Sequence, residues 1–161
     1  MYNATTNRIS LTSLTLGTNK TVSFWFRPNN VTGVVSDVFF GGASQYYPYI
    51  YNGGDRIYLR DSGGSGYLTS TFDFEYGTWY HLAITGNGTL ATIYINGESV
   101  GTVTDRTPTL DTIGAYQAGS YAVPADMSNF AYWNTELSSG DITTLYNNGT
   151  PALDISGLSP V

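Results

Sequence analysis

Residues 77–101 read G-T-W-Y-H-L-A-I-T-G-N-G-T-L-A-T-I-Y-I-N-G-E-S-V-G. The pattern is strand, tight turn, strand, tight turn, strand. In the first strand Tyr80, Leu82 and Ile84 alternate with Trp79, His81 and Ala83, and a period of two sends the two sets to opposite faces. Gly86-Asn87-Gly88 supplies positive-φ positions for a turn. In the second strand Ile93 and Ile95 alternate with Thr92 and Tyr94. Asn96-Gly97 is a strong hairpin signal, because a type I′ turn needs positive φ at both central residues. Linked hairpins with apolar residues on both faces need a second sheet to cover them.

The rest of the chain repeats this punctuation. Arg8 to Leu11 reads as a short strand, and residues 12–20 as a connection turning at Gly17-Thr18-Asn19. Thr21 to Arg27 sets Val22, Phe24 and Phe26 against Ser23 and Trp25, and Pro28 ends it. Further strands are predicted at 34–40, 46–51, 56–60, 67–72, 100–103 and 112–116, with residues 61–66 as a Gly/Ser loop. Phe130, Tyr132 and Trp133 mark a last long strand. Many short strands with regular turns imply an all-β sandwich or barrel. One helix follows. Ser138-Ser139-Gly140-Asp141 resembles a capping box, and Ile142, Leu145 and Tyr146 share a face. Gly149 is the predicted left-handed closing residue, and Pro151 prevents continuation.

Four pieces carry a family resemblance. They are W-Y-H-L-A-I-T with I-Y-I-N-G, V-S-F-W-F-R-P at 22–28, I-G-A-Y at 113–116, and M-S-N-F-A-Y-W-N-T-E-L-S-S-G-D-I-T-T-L-Y-N-N-G at 127–149. In order and spacing they resemble the laminin-G-like domains of the concanavalin A-like lectin/glucanase superfamily, over nearly the whole chain. The resemblance implies a single domain over 1–161: a two-sheet antiparallel β-sandwich, or jelly roll, with one short C-terminal helix. It implies less about function, because this fold carries lectins, hydrolases and interaction modules. The near-terminal wording is most similar to short domains of phage virion proteins.

Composition narrows the partners. Net charge is −6, the pI is about 4.3, and only 11% of residues are charged. Nothing basic clusters, so nucleic acid is not an expected partner. There are 14 tyrosines, whose apolar rings and wet tips suit contact surfaces. With no Cys, disulfides and thiolate chemistry are excluded. The start, M-Y-N-A-T-T-N-R-I-S-L, has no basic segment leading into an apolar run, so no signal peptide is predicted, and no membrane-length apolar span is present. Laminin-G-like domains are usually exported. A member lacking an export signal fits a virion protein assembled in the host cytoplasm; the alternative is a piece of a secreted, extracellular protein. The five N-x-[ST] sequons, at Asn3, Asn19, Asn30, Asn87 and Asn148, are read as compositional.

The chemistry on offer is limited. Glucanases of the resembled superfamily place two carboxylates on alternate strand positions. Here Asp73 and Glu75 alternate, but in F-D-F-E-Y-G just before a turn, where they read as solvated edge residues. His81, the sole histidine, lies mid-strand and reads as structural. No catalytic residue is predicted. Asp55, Asp61, Asp111 and Asp126 could offer oxygens to calcium, but they form no spaced ligand cluster, so neither cofactor nor metal is expected. Carbohydrate is the sharper candidate, since sugars stack C–H faces on aromatic rings. Tyr47, Tyr49 and Tyr51 would share one strand face, and Tyr116 and Tyr121 flank one loop with Gln117 between them.

The sequence thus predicts a non-enzymatic phage virion surface protein, a capsid decoration or tail-associated adhesion module. It would dock on a capsid or tail protein, with cell-surface glycan as a second partner and a homo-oligomer compatible with that role. Docking would use residues 1–8 or the apolar tail 152–161; packing of the tail on its own sandwich is the alternative. The competing readings are a carbohydrate-binding lectin module and, last, a glycoside hydrolase.

Overall fold

The computed structural model describes residues 8–29, 37–42, 47–51, 56–61, 64–67, 72, 74–106, 109–115 and 123–161, with backbone alone at 37, 47, 51, 56, 60, 61 and 64–67. The strands are β1 (Ile9–Thr15), β2 (Asn19–Pro28), β3 (Asp37–Val38), β4 (Phe40–Gly41), β5 (Tyr47–Tyr51) and β6 (Arg56–Asp61). They continue as β7 (Gly64–Tyr67), β8 (Tyr80–Asn87), β9 (Leu90–Ile95), β10 (Glu98–Thr104), β11 (Thr109–Ile113) and β12 (Ala125–Trp133). One helix, α1 (Ser139–Tyr146), follows.

Among the described residues all strand pairing is antiparallel. One sheet has the order β10-β9-β8-β2-β12. Facing it are β1-β11-β4 and β3-β5-β6-β7. These two join into one bent layer, because residues 37–41 pair first with β5 and then, past Phe39, with β11. The main core lies between the layers. Val22, Phe24, Phe26, Leu82, Ile84, Ile93 and Ile95 meet Phe39, Phe40, Ile50, Ile57 and Leu110 there. The predicted two-sheet sandwich and the predicted phases of β2, β8 and β9 are therefore observed.

Local chemistry sets the turns. Asn96 (φ 52°) and Gly97 (φ 81°) close the β9–β10 hairpin with both central residues at positive φ. At the β8–β9 turn only Gly88 (φ 87°) has positive φ. Gly86 serves another purpose: a Cβ there would sit 2.6 Å from Asp105 Oδ2. In β12 the left-handed Asn129 (φ 51°) makes a bulge, so three steps along β12 span two along β2. The bulge resets the alternation, leaving Met127, Phe130 and Tyr132 toward the core.

Several boundaries differ from the sequence reading. β1 runs on through Thr15, where a connection was expected, because β11 pairs with it up to Thr15. The Gly/Ser stretch Gly64–Tyr67 is a strand paired with β6, so tertiary pairing overrides its weak β propensity. The strand expected at 112–116 is Thr109–Ile113. Residues 34–36, 46, 68–71 and 116 of other expected strands lie outside the described residues. Helix α1 has the expected capping box, Ser138 with Asp141. Its left-handed C-cap is Asn147 (φ 46°), not Gly149, which comes two residues later.

Candidate functional site

The outer face of the five-stranded sheet carries the residues out of phase with the core. Ser23, Trp25 and Arg27 of β2 lie beside His81 of β8, and Asp126, Ser128, Ala131 and Trp133 of β12. Much of this face is covered. Helix α1 lays Ile142 and Leu145 on Ala83, Tyr94 and Trp133. Tyr146 stacks on Trp25 with ring centroids 5.9 Å apart. The tail then adds Ile155 and Leu158 to the same cluster, and the Val161 N–H donates to the Tyr132 carbonyl at 2.9 Å. Of the two roles expected for the tail, packing on its own sandwich is what the structure shows, although Leu153 is fully exposed.

Beneath this cover Ser23 Oγ and His81 Nε2 share a hydrogen bond of 2.8 Å. His81 is 1% exposed, and burial, which disfavours the charged ring, lowers its pKa from 6.5 to about 4. His81 Nδ1 and Trp133 Nε1 are both buried without a hydrogen-bond partner. Among the described residues no carboxylate partners the ring, so there the Ser–His contact lacks the third member of a catalytic triad. The sequence reading treated His81 as structural but did not find its bond to Ser23. The signal available was the shared outward phase of the two residues.

One end of the face stays open. Trp25, Trp79, Ser128, Gly149 and Pro151 line a shallow groove of about 150 Å³. Trp79 keeps 39% of its surface in solvent. The Arg27 guanidinium lies 5.3 Å from the Trp79 ring centroid, and Arg27 Nε donates to Asp126 Oδ2 at 2.9 Å. Both members of this pair are roughly half exposed, at 41% and 46%. The groove therefore offers an aromatic surface and Ser128, whose hydroxyl donates to Asn129 Oδ1, with the charge-neutral Arg27–Asp126 pair flanking Trp79. A sugar ring can stack on such a surface while its hydroxyls bridge a carboxylate and a guanidinium. Trp79, Arg27 and Asp126 were not singled out as sugar contacts in the sequence.

The one predicted site residue with a described side chain, Tyr49, lies elsewhere. Tyr49 lies in β5, 6% exposed, packed with Val38 and Tyr58 apart from the main core. Its ring stacks on Tyr58 at 5.1 Å. In backbone register Tyr67 of β7 lies opposite Tyr58. Tyr47 and Tyr51 start and end β5; their side chains lie outside what is described, as do Tyr116, Gln117 and Tyr121. The structure thus brings Tyr49 together with Tyr58. Of the candidate acids, Glu75 is exposed and its backbone N–H donates to the Tyr80 hydroxyl at 2.9 Å, while Asp73 lies outside the described residues. Asp126 is paired with Arg27, and Asp111 Oδ1 accepts from the Thr112 hydroxyl. Among the described residues no three His, Asp or Glu side chains gather as a metal site.

A family model described as the concanavalin A-like lectin/glucanases superfamily matches residues 3–143. The chain belongs to that superfamily. Among curated proteins none matches. Solved structures similar to this concanavalin A-like domain include a native heptameric SAP-like pentraxin from Limulus polyphemus. It is 18% identical with a TM-score of 0.70, covering 86% of this chain and 74% of that one. Another is domain 4 of AbnA, a GH43 extracellular arabinanase from Geobacillus stearothermophilus, in complex with arabinotriose. It is 18% identical with a TM-score of 0.69, covering 86% and 72%. A third is the botulinum neurotoxin serotype D binding domain, 20% identical with a TM-score of 0.61, of which this chain spans 42%. At these identities the likeness is one of fold.

Proposed function

We propose that this protein is a non-catalytic, lectin-like binding domain that takes a neutral glycan in the groove between Trp25 and Trp79. The observation that carries the reading is the exposed Trp79 ring, flanked by the Arg27–Asp126 pair beside the part of the sheet face that helix and tail cover. The pair balances its own charge, which favours a neutral sugar over an acidic one. Support for a non-catalytic role comes from the Ser23–His81 contact, buried and without an acid, and from the solvated position of Glu75. Sugar-binding among fold neighbours, such as the arabinotriose complex, is consistent with the reading.

The test is a titration of oligosaccharides followed by tryptophan fluorescence. A glycan that shifts the wild-type emission should lose binding by about 10-fold or more in Trp79→Ala, since a lost stacking contact of ~1.5 kcal/mol is worth that factor. Equal binding by the variant would remove the groove from consideration. Tyr47, Tyr51, Tyr116, Gln117 and Tyr121 are a second proposed contact surface, in which Tyr49, 6% exposed and stacked on Tyr58, would support the strand rather than touch the sugar; Tyr116→Ala tests it.

The proposed carrier is the surface of a phage particle, as a capsid decoration or tail-associated adhesion module. Its support is the likeness of the 127–149 wording to short virion domains. Co-sedimentation with capsids would report it; a protein that stays in the supernatant favours the extracellular lectin alternative.

A further inference from the structure

Next to the groove, under the tail, lies a pocket of about 90 Å³ lined in part by His81, Trp133, Leu145, Ala152 and Ile155. We propose that this pocket receives the acetamido group of an N-acetylated sugar, an inference that rests on the glycan-binding reading above. Two buried polar atoms belong to residues that line it, Trp133 Nε1 and His81 Nδ1, and neither has a partner. A buried unpaired polar atom costs about 1–3 kcal/mol, so each such atom in a native fold needs an explanation.

The chemistry of the two atoms selects the ligand. Trp Nε1–H only donates, so it calls for an acceptor such as a carbonyl oxygen. His81 Nε2 faces Ser23 Oγ at 2.8 Å. With the proton on Nε2 and donated to that hydroxyl, Nδ1 accepts, and an amide N–H satisfies it. The walls from Leu145, Ala152 and Ile155 are apolar and suit a methyl group. A secondary acetamide carries these three features together. A hydroxyl alone leaves the apolar wall unfilled. A carboxylate would be buried with no cation among the lining residues, since burial keeps His81 neutral. The size agrees: 90 Å³ is room for about three waters or one small acyl amide.

Position links pocket to groove. Trp25 lines both, and the adjacent pairs Ser128–Asn129 and Pro151–Ala152 each give one residue to each. A ring stacked in the groove thus has its substituent beside the pocket. Both polar atoms are closed to bulk water, so a group that pairs with them has to displace part of the cover over the pocket.

Matched disaccharides test this on the whole chain, read by the indole N–H signals of a ¹⁵N-labelled protein. N,N′-diacetylchitobiose should move both the Trp79 and Trp133 signals. Cellobiose, which lacks the acetamido groups, should move Trp79 alone and bind about tenfold more weakly, the worth of one to two net hydrogen bonds. Ala152→Leu, which fills the pocket, should abolish that preference. If both sugars move Trp79 equally and neither moves Trp133, the acetamido inference falls while the glycan reading stands. If Trp133 shifts with chitobiose but Ala152→Leu keeps the full preference, the pocket assignment also falls. Silence at Trp79 with every sugar tried overturns the glycan reading, and this inference with it.

Discussion

Lys20 Nζ and Asp105 Oδ1 meet at 2.8 Å with their side chains 5% and 1% exposed. The carboxylate also accepts from the Gly88 N–H at 2.6 Å and the Arg106 N–H at 2.7 Å. It thus ties β2 to the β8–β9 turn and the end of β10. Removing one partner of a buried pair strands the other charge, so Asp105→Ala should cost about 3–5 kcal/mol in urea unfolding. A cost under ~1 kcal/mol would mean that the pair behaves as a solvated one. His81 gives a pH dependence. Its folded pKa of about 4 lies below the ordinary 6.5 because burial disfavours the charged ring. Above the unfolded value the ring is neutral in both states, and its stabilising effect is fully present. As pH falls from 6.5 through 4 the unfolded chain takes up a proton that the folded chain resists, and stability drops by ~3 kcal/mol. Unfolding measured at about pH 7.5 and about pH 4 should show this loss, and His81→Asn should remove that share of it. An undiminished pH dependence in the variant would assign the loss to other groups. Neither contact could be read from the sequence: Lys20 and Asp105 are 85 positions apart, and Ser23 and His81 are 58. Phase assigned the faces, but only strand order decides which outward residues meet.

At the scale of elements, local signals were sufficient where the determinants are local. Asn96-Gly97, the alternation of Val22, Phe24 and Phe26, and the Ser138–Asp141 capping box depend on residues within a few positions of each other, and each is observed. The extension of β1 depends on a distant partner, β11, and the strand Gly64–Tyr67 on pairing with the neighbouring β6 rather than on its own propensity. Helix α1 is only 8 residues long, so its caps and its buried face stabilise it together. Ser138→Ala should cost about 1 kcal/mol, measured by thermal or urea unfolding. Gly97→Ala should cost more than a simple turn glycine would. Its φ is 81°, and an added Cβ would come 3.0 Å from the Tyr146 ring, which stacks on Trp25 beside the groove. A neutral Gly97→Ala would show that α1 moves freely over the sheet.

At the scale of the whole molecule, the outer sheet face is divided into a sealed part and an open part. Helix and tail seal the Trp133 end, and the Trp79 end is left to solvent. The tail's apolar residues were visible in the sequence, but its destination was not, because docking and self-packing draw on the same residue types. Ile155 and Leu158 are only partly buried, so Ile155→Ala with Leu158→Ala should cost ~2–3 kcal/mol together, below the value for full core truncation. The aromatic site shows the same limit. Fourteen tyrosines drew the reading toward Tyr-rich stretches, whereas the exposed ring in the groove is Trp79, which sits among core-forming neighbours in sequence. Exposure is a property of the assembled sheet, and its covering helix lies more than fifty positions further along the chain.

The most direct test of the account is a glycan array probed with the purified wild-type protein and Trp79→Ala side by side, each with calcium and with chelator. The wild type is expected to bind neutral glycans, with and without chelator, and Trp79→Ala to lose that binding. Wild-type and variant proteins that give the same pattern, or a wild type that binds nothing in either condition, would contradict it.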